Sequence, residues 1–220
     1  MENLGSKCMQ TKREMITLLK NLLKKYPLID LGQENPKSAS RRLSLSLIDS
    51  GSGGMALDAG CREGFQTREL LKKNYQVVSV DIVKLFPEAQ IVDLNKPLPF
   101  AGNSFDVVYS SEVIEHLIDP AFTVSEFNRV LRPSGKLIVT TPNSFCAIFR
   151  MLSLLGLKPW RIQNKDHLHF FSIKDIKKLF PGAQVYGYFP FFVTFPILKC
   201  IPTISPCFII SSIKKSEKIG

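Results

Sequence analysis

At 220 residues, with 45% apolar and 22% charged side chains, the chain has enough length and apolar content for one α/β domain with a core, which excludes the disordered and fibrous classes. Five cysteines at 8, 61, 146, 200 and 207, with no C-x-x-C pair, argue against a zinc ribbon or a disulfide framework and for a reducing, cytoplasmic setting; the first residues, MENLGSKCMQTKREM, lack the apolar run of a secretory signal. The formal charge of +10 is uneven: residues 1–50 hold nine Lys/Arg against five Asp/Glu, residues 51–157 ten against eleven, and residues 158–220 ten against three. Basic flanks around a near-neutral middle suit an anionic substrate, an anionic membrane surface or RNA, and equally a solvated surface that keeps the protein in solution.

In chain order, residues 11–25 carry Met15, Ile16, Leu19, Leu22 and Leu23 at helical spacing and predict an amphipathic helix. A loop over 30–40 and a short helix in RRLSLSLID complete an N-terminal helical segment, 1–50, and SGSGG (50–54) is a flexible connector. From there to residue 220 strand and helix patterns alternate. MALDAG (55–60), YQVVSVDI (75–82), AQIVDL (89–94), FDVVYS (105–110), KLIVTTP (136–142), AQVYGYF (183–189) and PCFIISSIKK (206–215) read as strands. FQTRELLKKN (65–74), residues 112–118 and 120–131, and SIKDIKKLF (172–180) read as helices. Short apolar strands between helices imply a Rossmann-like, mostly parallel sheet with helices on both faces, and a ligand site at the carboxyl ends of the strands. The uncharged stretch 179–198 is long enough to cross a bilayer, but Pro181, Gly182, Gly187, Pro190 and Pro196 would break the backbone bonds of a helix there, so it reads as a strand and an apolar loop.

The first strand runs into Asp58-Ala59-Gly60-Cys61-Arg62-Glu63-Gly64, a strand–turn–helix layout in which Gly60 permits a tight turn and Gly64 a close ligand approach. Asp81 ends the second strand, where a carboxylate can accept both hydroxyls of a ribose. Asp93, in the third, can accept from an adenine amine, with Leu94 against the ring. Singly, each aspartate is as well explained as a turn residue. A nicotinamide site wants G-x-G-x-x-G after the first strand, but the glycine-rich run here precedes it, and Asp58 would oppose a pyrophosphate while suiting a ligand with an ammonium and a sulfonium.

The segments LDAGCREG, VVSVDI, IVDLNKPLPF, FDVVYSSEVIEHL and LRPSGKLIVTTPN together resemble the motifs of class I S-adenosylmethionine (SAM)-dependent methyltransferases, most closely the small-molecule branch that includes the quinone-biosynthesis enzymes. The resemblance covers roughly residues 43–181. It implies a seven-stranded sheet with the last strand antiparallel and SAM as cofactor. Asp58, Gly60 and Gly64, with Cys61 and Arg62 in the same turn, would hold the methionine end. Asp81 and Ile82 would hold ribose and adenine, Asp93 and Leu94 the adenine, and Ser110 would line the methyl-transfer side. Arg62 stands where the family usually has glycine; its side chain would crowd the methionine end or pair with the SAM carboxylate.

Acid–base candidates cluster after the fourth strand, in Glu112-Val113-Ile114-Glu115-His116, where a helix would put Glu112 and His116 on one face. The other two histidines lie in Asp166-His167-Leu168-His169-Phe170-Phe171. His116 is a candidate base, and His169 is expected to pack on the aromatic pair. Glu112, Glu115, His116 and His167 also form a ligand set for a divalent metal, and the E-x-x-E-H run resembles that of metal-dependent RNA 2′-O-methyltransferases. The run looks equally like that of methyltransferases without a metal, in which the same side chains fix the loop beside SAM. The acceptor pocket is expected from the N-terminal helix and segments 144–166 and 186–204; the apolar and aromatic content of the latter two suits a small apolar or aromatic acceptor and, with the basic C-terminal region, a membrane surface, and equally an ordinary core with a dimer surface. The expected reaction is methyl transfer from SAM to such an acceptor, preferentially at oxygen. The alternatives are an RNA methyltransferase and a non-catalytic SAM-binding or scaffold subunit.

Overall fold

A computed structural model describes residues 38–154, 166–188 and 202–215. The predicted helix over 11–25, the middle of the apolar segment 144–166 and the aromatic run Phe189, Phe191, Phe192 and Phe195 lie outside the described residues. Seven strands form one sheet: β1 (Met55–Ala59), β2 (Gln76–Asp81), β3 (Gln90–Ile91), β4 (Phe105–Ser111), β5 (Leu131–Pro142), β6 (Gln184–Tyr186) and β7 (Cys207–Ile213). Their spatial order is β3-β2-β1-β4-β5-β7-β6. The pairs among β1 to β5 are parallel, and β7 runs antiparallel to both β5 and β6. The expected Rossmann-like sheet with an antiparallel last strand is the one observed.

Helices cover both faces. On one side lie α1 (Ala39–Ser46) and α2 (Phe65–Lys72), where Leu45, Ile48 and Leu70 pack with Ala56, Val107, Tyr109 and Ile138 of the strands. On the other lie α3 (Pro120–Val130) and α5 (Ile173–Leu179), where Val124, Phe127, Val130, Ile176 and Phe180 join Leu57, Val108, Leu137, Val139 and Phe208 in the larger core. A further helix, α4 (Ala147–Leu154), leaves Met151 and Leu154 exposed. No helix among the described residues is long and apolar enough to cross a membrane.

Strand period places odd and even residues of β4 on opposite faces. Val108 belongs to the α3/α5 core, while Val107 and Tyr109 face α1 and α2. Polar contacts seat α1: the Tyr109 hydroxyl lies 2.9 Å from Ser44 Oγ, and Ser44 spends its own proton on the Arg41 carbonyl, also at 2.9 Å, so Tyr109 is the donor. Ser38 caps the helix, its Oγ accepting from the Arg41 N–H. The fully buried serines at 38, 40 and 44 explain why this helix has little apolar periodicity and yet is held tightly to the sheet.

Besides shifts in strand ends, among them β5 beginning at Leu131 and β6 confined to Gln184–Tyr186, two predicted elements near the site differ. The third strand is confined to Gln90–Ile91, because the Asp93 carboxylate accepts from both the backbone and side-chain nitrogens of Asn95 and turns the chain away. The helix expected over 112–118 is a single 3₁₀ turn, Ile114–His116. Glu112 sits in the left-handed region at φ 58°, where no α-helix can pass, so Glu112 and His116 do not share a helical face.

Candidate active site

Strand order reverses between β1 and β4, and the carboxyl ends of these strands open onto a cleft. Its walls are Gly60, Arg62, Glu63, Phe65 and Gln66 from the turn and first residues of α2, with Arg41 of α1 and Ser111 of β4 opposite. Gly60 has φ 84°, and a Cβ there would lie 2.3 Å from Val113 Cγ2; Gly64 has φ 73°, and a Cβ there would lie 2.5 Å from the Phe86 ring. Both positions require glycine by conformation and by space. Gly64 is the N-cap of α2 and supplies no side-chain cap, so the first-turn N–H groups face the cleft with the positive end of the helix. Gln66 Nε2 is buried with no hydrogen-bond partner among the described residues.

The three aspartates separate into different roles. Asp81 is half-buried at the end of β2: Oδ2 accepts from the Arg62 N–H at 2.9 Å and Oδ1 from the Val83 N–H at 3.1 Å, which leaves each oxygen acceptor capacity for a ligand hydroxyl. Around it Ile82, Val83, Leu85 and Ile91 are exposed, an apolar rim on which a flat aromatic base can lie. Asp58 does not reach the cleft as expected. It points from β1 toward α2, is 1% exposed, and accepts from Thr67 Oγ1 at 2.6 Å. Thr67 has one proton and gives it to Asp58, so Ser79, 2.8 Å away, donates to Thr67; the aspartate fixes α2 from behind. Asp93 holds the turn at Asn95 and pairs with Lys96 at 3.4 Å, and Leu94 is buried in the main core instead of offering a face to a ring.

The turn residues are also sorted. Cys61 is buried against Phe86 and Ala89, so it contributes backbone to the turn and not a thiol to the cleft. Arg62 adopts φ 46°, the conformation that explains a glycine preference, and its exposed side chain stands at the rim 4.0 Å from Glu63. Ser110 Oγ is buried without a partner among the described residues; the neighbouring Ser111, on the opposite face of β4, is the serine that lines the cleft. Sequence reasoning missed both Ser111 and Arg41. Arg41, a residue only 6% exposed, donates from its guanidinium Nε to Ser111 Oγ at 3.3 Å. The available signal was an arginine set among small polar residues in RRLSLS.

Beyond Ser111 the chain carries a second cluster. Glu112 Oε1 accepts from Thr140 Oγ1 at 2.9 Å and from Cys207 Sγ at 3.1 Å. Glu115 is buried, with Oε2 accepting from Thr141 and Oε1 without a partner among the described residues, while its carbonyl accepts from Leu168 and His169 N–H groups. These backbone bonds bring the histidine segment to the 3₁₀ turn. His116 and His167 meet edge to face with centroids 4.8 Å apart, and His116 Nδ1 lies 3.0 Å from the Asp166 carbonyl. A carbonyl only accepts, so Nδ1 carries a proton, and in the neutral tautomer the lone pair is on Nε2. His167 Nδ1 is buried without a partner among the described residues. His169 stacks on Phe171 as expected, and its Nε2 donates to the Leu117 carbonyl.

A methyltransferase-domain family model matches residues 30–185. The chain belongs to the class I SAM-dependent methyltransferase family. A "Probable S-adenosylmethionine-dependent methyltransferase" of Mycobacterium tuberculosis is 40% identical over 96 residues, which are 40% of this chain and 35% of that protein. A ubiquinone biosynthesis O-methyltransferase of Xylella fastidiosa is 29% identical over 147 residues, 57% of each chain. An S-adenosylmethionine dependent methyltransferase from Mesorhizobium loti has the same fold, with a TM-score of 0.62 at 16% identity over 80% of this chain and 98% of that one. The chain therefore spans about a third of the mycobacterial relative's length and just over half of the Xylella enzyme's.

In this member of the family the electrostatics differ between the two sides of the site. Burial pushes the Asp58 carboxyl up to about 7, against the opposing Thr67 hydrogen bond. Burial, followed by the charges of Asp58 and Asp81, pushes the Cys61 thiol up to about 12, so the thiol stays protonated. Burial and then the neighbouring Glu112 raise Glu115 well above the usual carboxylate range. Burial and then His116 lower His167 to about 4, so its imidazole is neutral at physiological pH. One donor atom from each of Glu115, His116 and His167 lies within 4.8 Å of the others. Metal–ligand distances of about 2.0–2.2 Å allow donors to lie at most about 4.4 Å apart, so a small inward movement would close this set on a divalent ion. The unpartnered Glu115 Oε1 and His167 Nδ1 fit that use. Glu112, turned to Thr140 and Cys207, stands outside the converging trio.

Proposed function

We propose that this chain transfers the methyl group of SAM to an oxygen of a small apolar or aromatic acceptor. The observation that carries the donor half is the cleft at the start of α2. It combines a buried guanidinium (Arg41), an unpartnered buried amide donor (Gln66) and uncapped helix N–H groups, a combination made for a carboxylate. Asp81 lies on the adjoining strand end for the ribose, and its apolar rim takes the adenine. Glu63 on the cleft wall suits the donor's ammonium.

Methyl transfer from a sulfonium is an in-line displacement, so alignment is the main task of the protein and is worth up to about 7–11 kcal/mol in favourable systems. An acceptor hydroxyl that keeps its proton at neutral pH needs a base, and His116, with Nδ1 held by the Asp166 carbonyl and Nε2 carrying the lone pair, is the group oriented for it. Exposed Ile118 and Leu168 flank the histidines and favour an apolar acceptor. The described ends of segments 144–166 and 186–204 include the exposed Met151 and Leu154 of α4, in keeping with an apolar entrance. The ubiquinone O-methyltransferase relative, at its low identity, supports oxygen as the methylated atom.

A second reading of the acceptor side is a metal held by Glu115, His116 and His167, favoured by the convergence of their donor atoms. A divalent ion there would polarise and orient an acceptor oxygen. Calorimetry with SAM and S-adenosylhomocysteine (SAH) tests the donor reading: micromolar binding is expected for the wild type and strongly weakened binding for Asp81→Ala, and equal binding by both proteins would refute the ribose assignment. Transfer of tritiated methyl from SAM to a metabolite extract, with and without a chelator, then identifies the acceptor and separates base from metal chemistry.

A further inference from the structure

A line of hydroxyls joins the donor cleft to the acceptor-side cluster. Arg41 Nε donates to Ser111 Oγ at 3.3 Å, Ser111 Oγ and Thr140 Oγ1 are 2.8 Å apart, and Thr140 Oγ1 donates to Glu112 Oε1 at 2.9 Å. Each hydroxyl has a single proton. Thr140 gives its proton to the carboxylate, so the Ser111 proton goes to Thr140, and Ser111 accepts from the guanidinium. Three hydrogen bonds therefore point the same way, from a buried cation to a carboxylate, in a setting where aligned bonds polarise one another.

The backbone holds this line in place. Ser111 and Thr140 are direct register partners across β4 and β5, and the Glu112 N–H donates to the Thr140 carbonyl at 3.0 Å. Cys207 of β7 adds an S–H bond to the same Oε1. Glu112 stands at φ 58°, a position that is disfavoured for a non-glycine residue and persists only where its surroundings hold it. Its strained residue also opens the loop that carries Glu115 and His116.

We propose that Ser111 and Thr140 are positioning residues that couple the two sides of the site: the donor's carboxylate and the Glu112 carboxylate draw on the same guanidinium, and the hydroxyl line transmits occupancy of one side to the other. The inference rests on the reading of the cleft as the donor site. Binding of the donor carboxylate draws Arg41 from Ser111 and loosens Glu112 and its loop, so the acceptor-side groups respond to whether a donor is present. Linkage makes the effect reciprocal, and removal of the Glu112 charge tightens the donor.

The test is a double-mutant cycle read by calorimetry, with SAH as the probe and methylthioadenosine, which lacks the carboxylate, as the comparison. Glu112→Gln is expected to tighten SAH by about 3- to 10-fold in the wild-type background, within the range of coupled neighbours, and by less than about 1.5-fold in Thr140→Val. Thr140→Ser keeps the hydroxyl and should restore the full response, and Ser111→Ala, which interrupts the line one link earlier, should abolish it as Thr140→Val does. Methylthioadenosine should bind equally to all variants. The same tightening in Thr140→Val as in wild type, or an equal response with methylthioadenosine, would overturn the proposal. Failure of the wild type to bind SAH would instead overturn the donor-site reading on which it rests.

Discussion

Gly60→Ala places a methyl group at the centre of the donor turn, and the structure sets its cost. At φ 84° an L-residue is disfavoured by about 1–2 kcal/mol. The new Cβ would lie 2.3 Å from Val113 Cγ2, more than 1 Å inside an ordinary contact, and overpacking of that kind costs about 1–3 kcal/mol. The sum, about 2–5 kcal/mol, is a large fraction of the roughly 5–15 kcal/mol that holds a domain together, so the variant should fold with a urea midpoint lowered by about 1–2 M. Val113→Ala removes the offending methyl. Combined with Gly60→Ala it should recover the packing part and leave the conformational part, giving a favourable interaction of about 1–3 kcal/mol in the cycle. The assay is urea unfolding of the four proteins with SAH binding measured in parallel. Strictly additive costs, within about 0.5 kcal/mol, would show that Gly60 and Val113 do not meet and that the turn has another shape.

Other consequences concern charge. Asp58 is raised in the folded protein, so the native state holds a proton that the unfolded chain releases; stability is complete below the unfolded pKa near 4 and declines as pH rises toward about 7, by up to about 4 kcal/mol. Asp58→Asn, which keeps an acceptor for Thr67, should flatten this decline, and thermal melts of both proteins at pH 5 and pH 8 with parallel pH slopes would contradict the burial of the carboxylate. Arg62→Gly relieves a left-handed residue, so stability should stay level or rise by up to about 1 kcal/mol while SAH binding changes by less than in Arg41→Met; a larger binding loss in the Arg62 variant would make the rim arginine, and not the buried one, the carboxylate ligand. If Glu115, His116 and His167 take a metal, Mn²⁺ must displace the proton that Glu115 holds, and its affinity should rise with pH and fall in His167→Ala. Calorimetry in buffers of different ionisation enthalpy reads the released proton, and pH-independent binding would exclude Glu115 from the ligand set.

The sheet was legible in the sequence because its strands are buried on both faces: Leu57, Val108, Ile138 and Ile209 stand in short apolar runs bounded by turn residues. The glycine turn and the strand-end position of Asp81 were legible because their signals are local, a positive φ in one case and the end of an apolar run in the other. Three other parts depend on contacts that spacing cannot show. Helical spacing suggested one face for Glu112 and His116, but Val113 packing against Gly60 and the left-handed Glu112 bend the chain there. Apolar residues suggested a strand through residue 94, but the side chain of Asp93 binds Asn95 and ends it early. Arg41 reaches the cleft only because the Tyr109–Ser44 bond and buried serines seat α1 on the sheet, a tertiary arrangement that leaves no periodic trace.

The most direct test of where the donor lies is a crystal structure of the chain with SAH bound. Its carboxylate should meet the Arg41 guanidinium and Gln66 Nε2 at the start of α2, and its ribose hydroxyls should meet Asp81. A nucleoside lying elsewhere, with Arg41 keeping its bond to Ser111 and Asp81 facing water, would contradict the account.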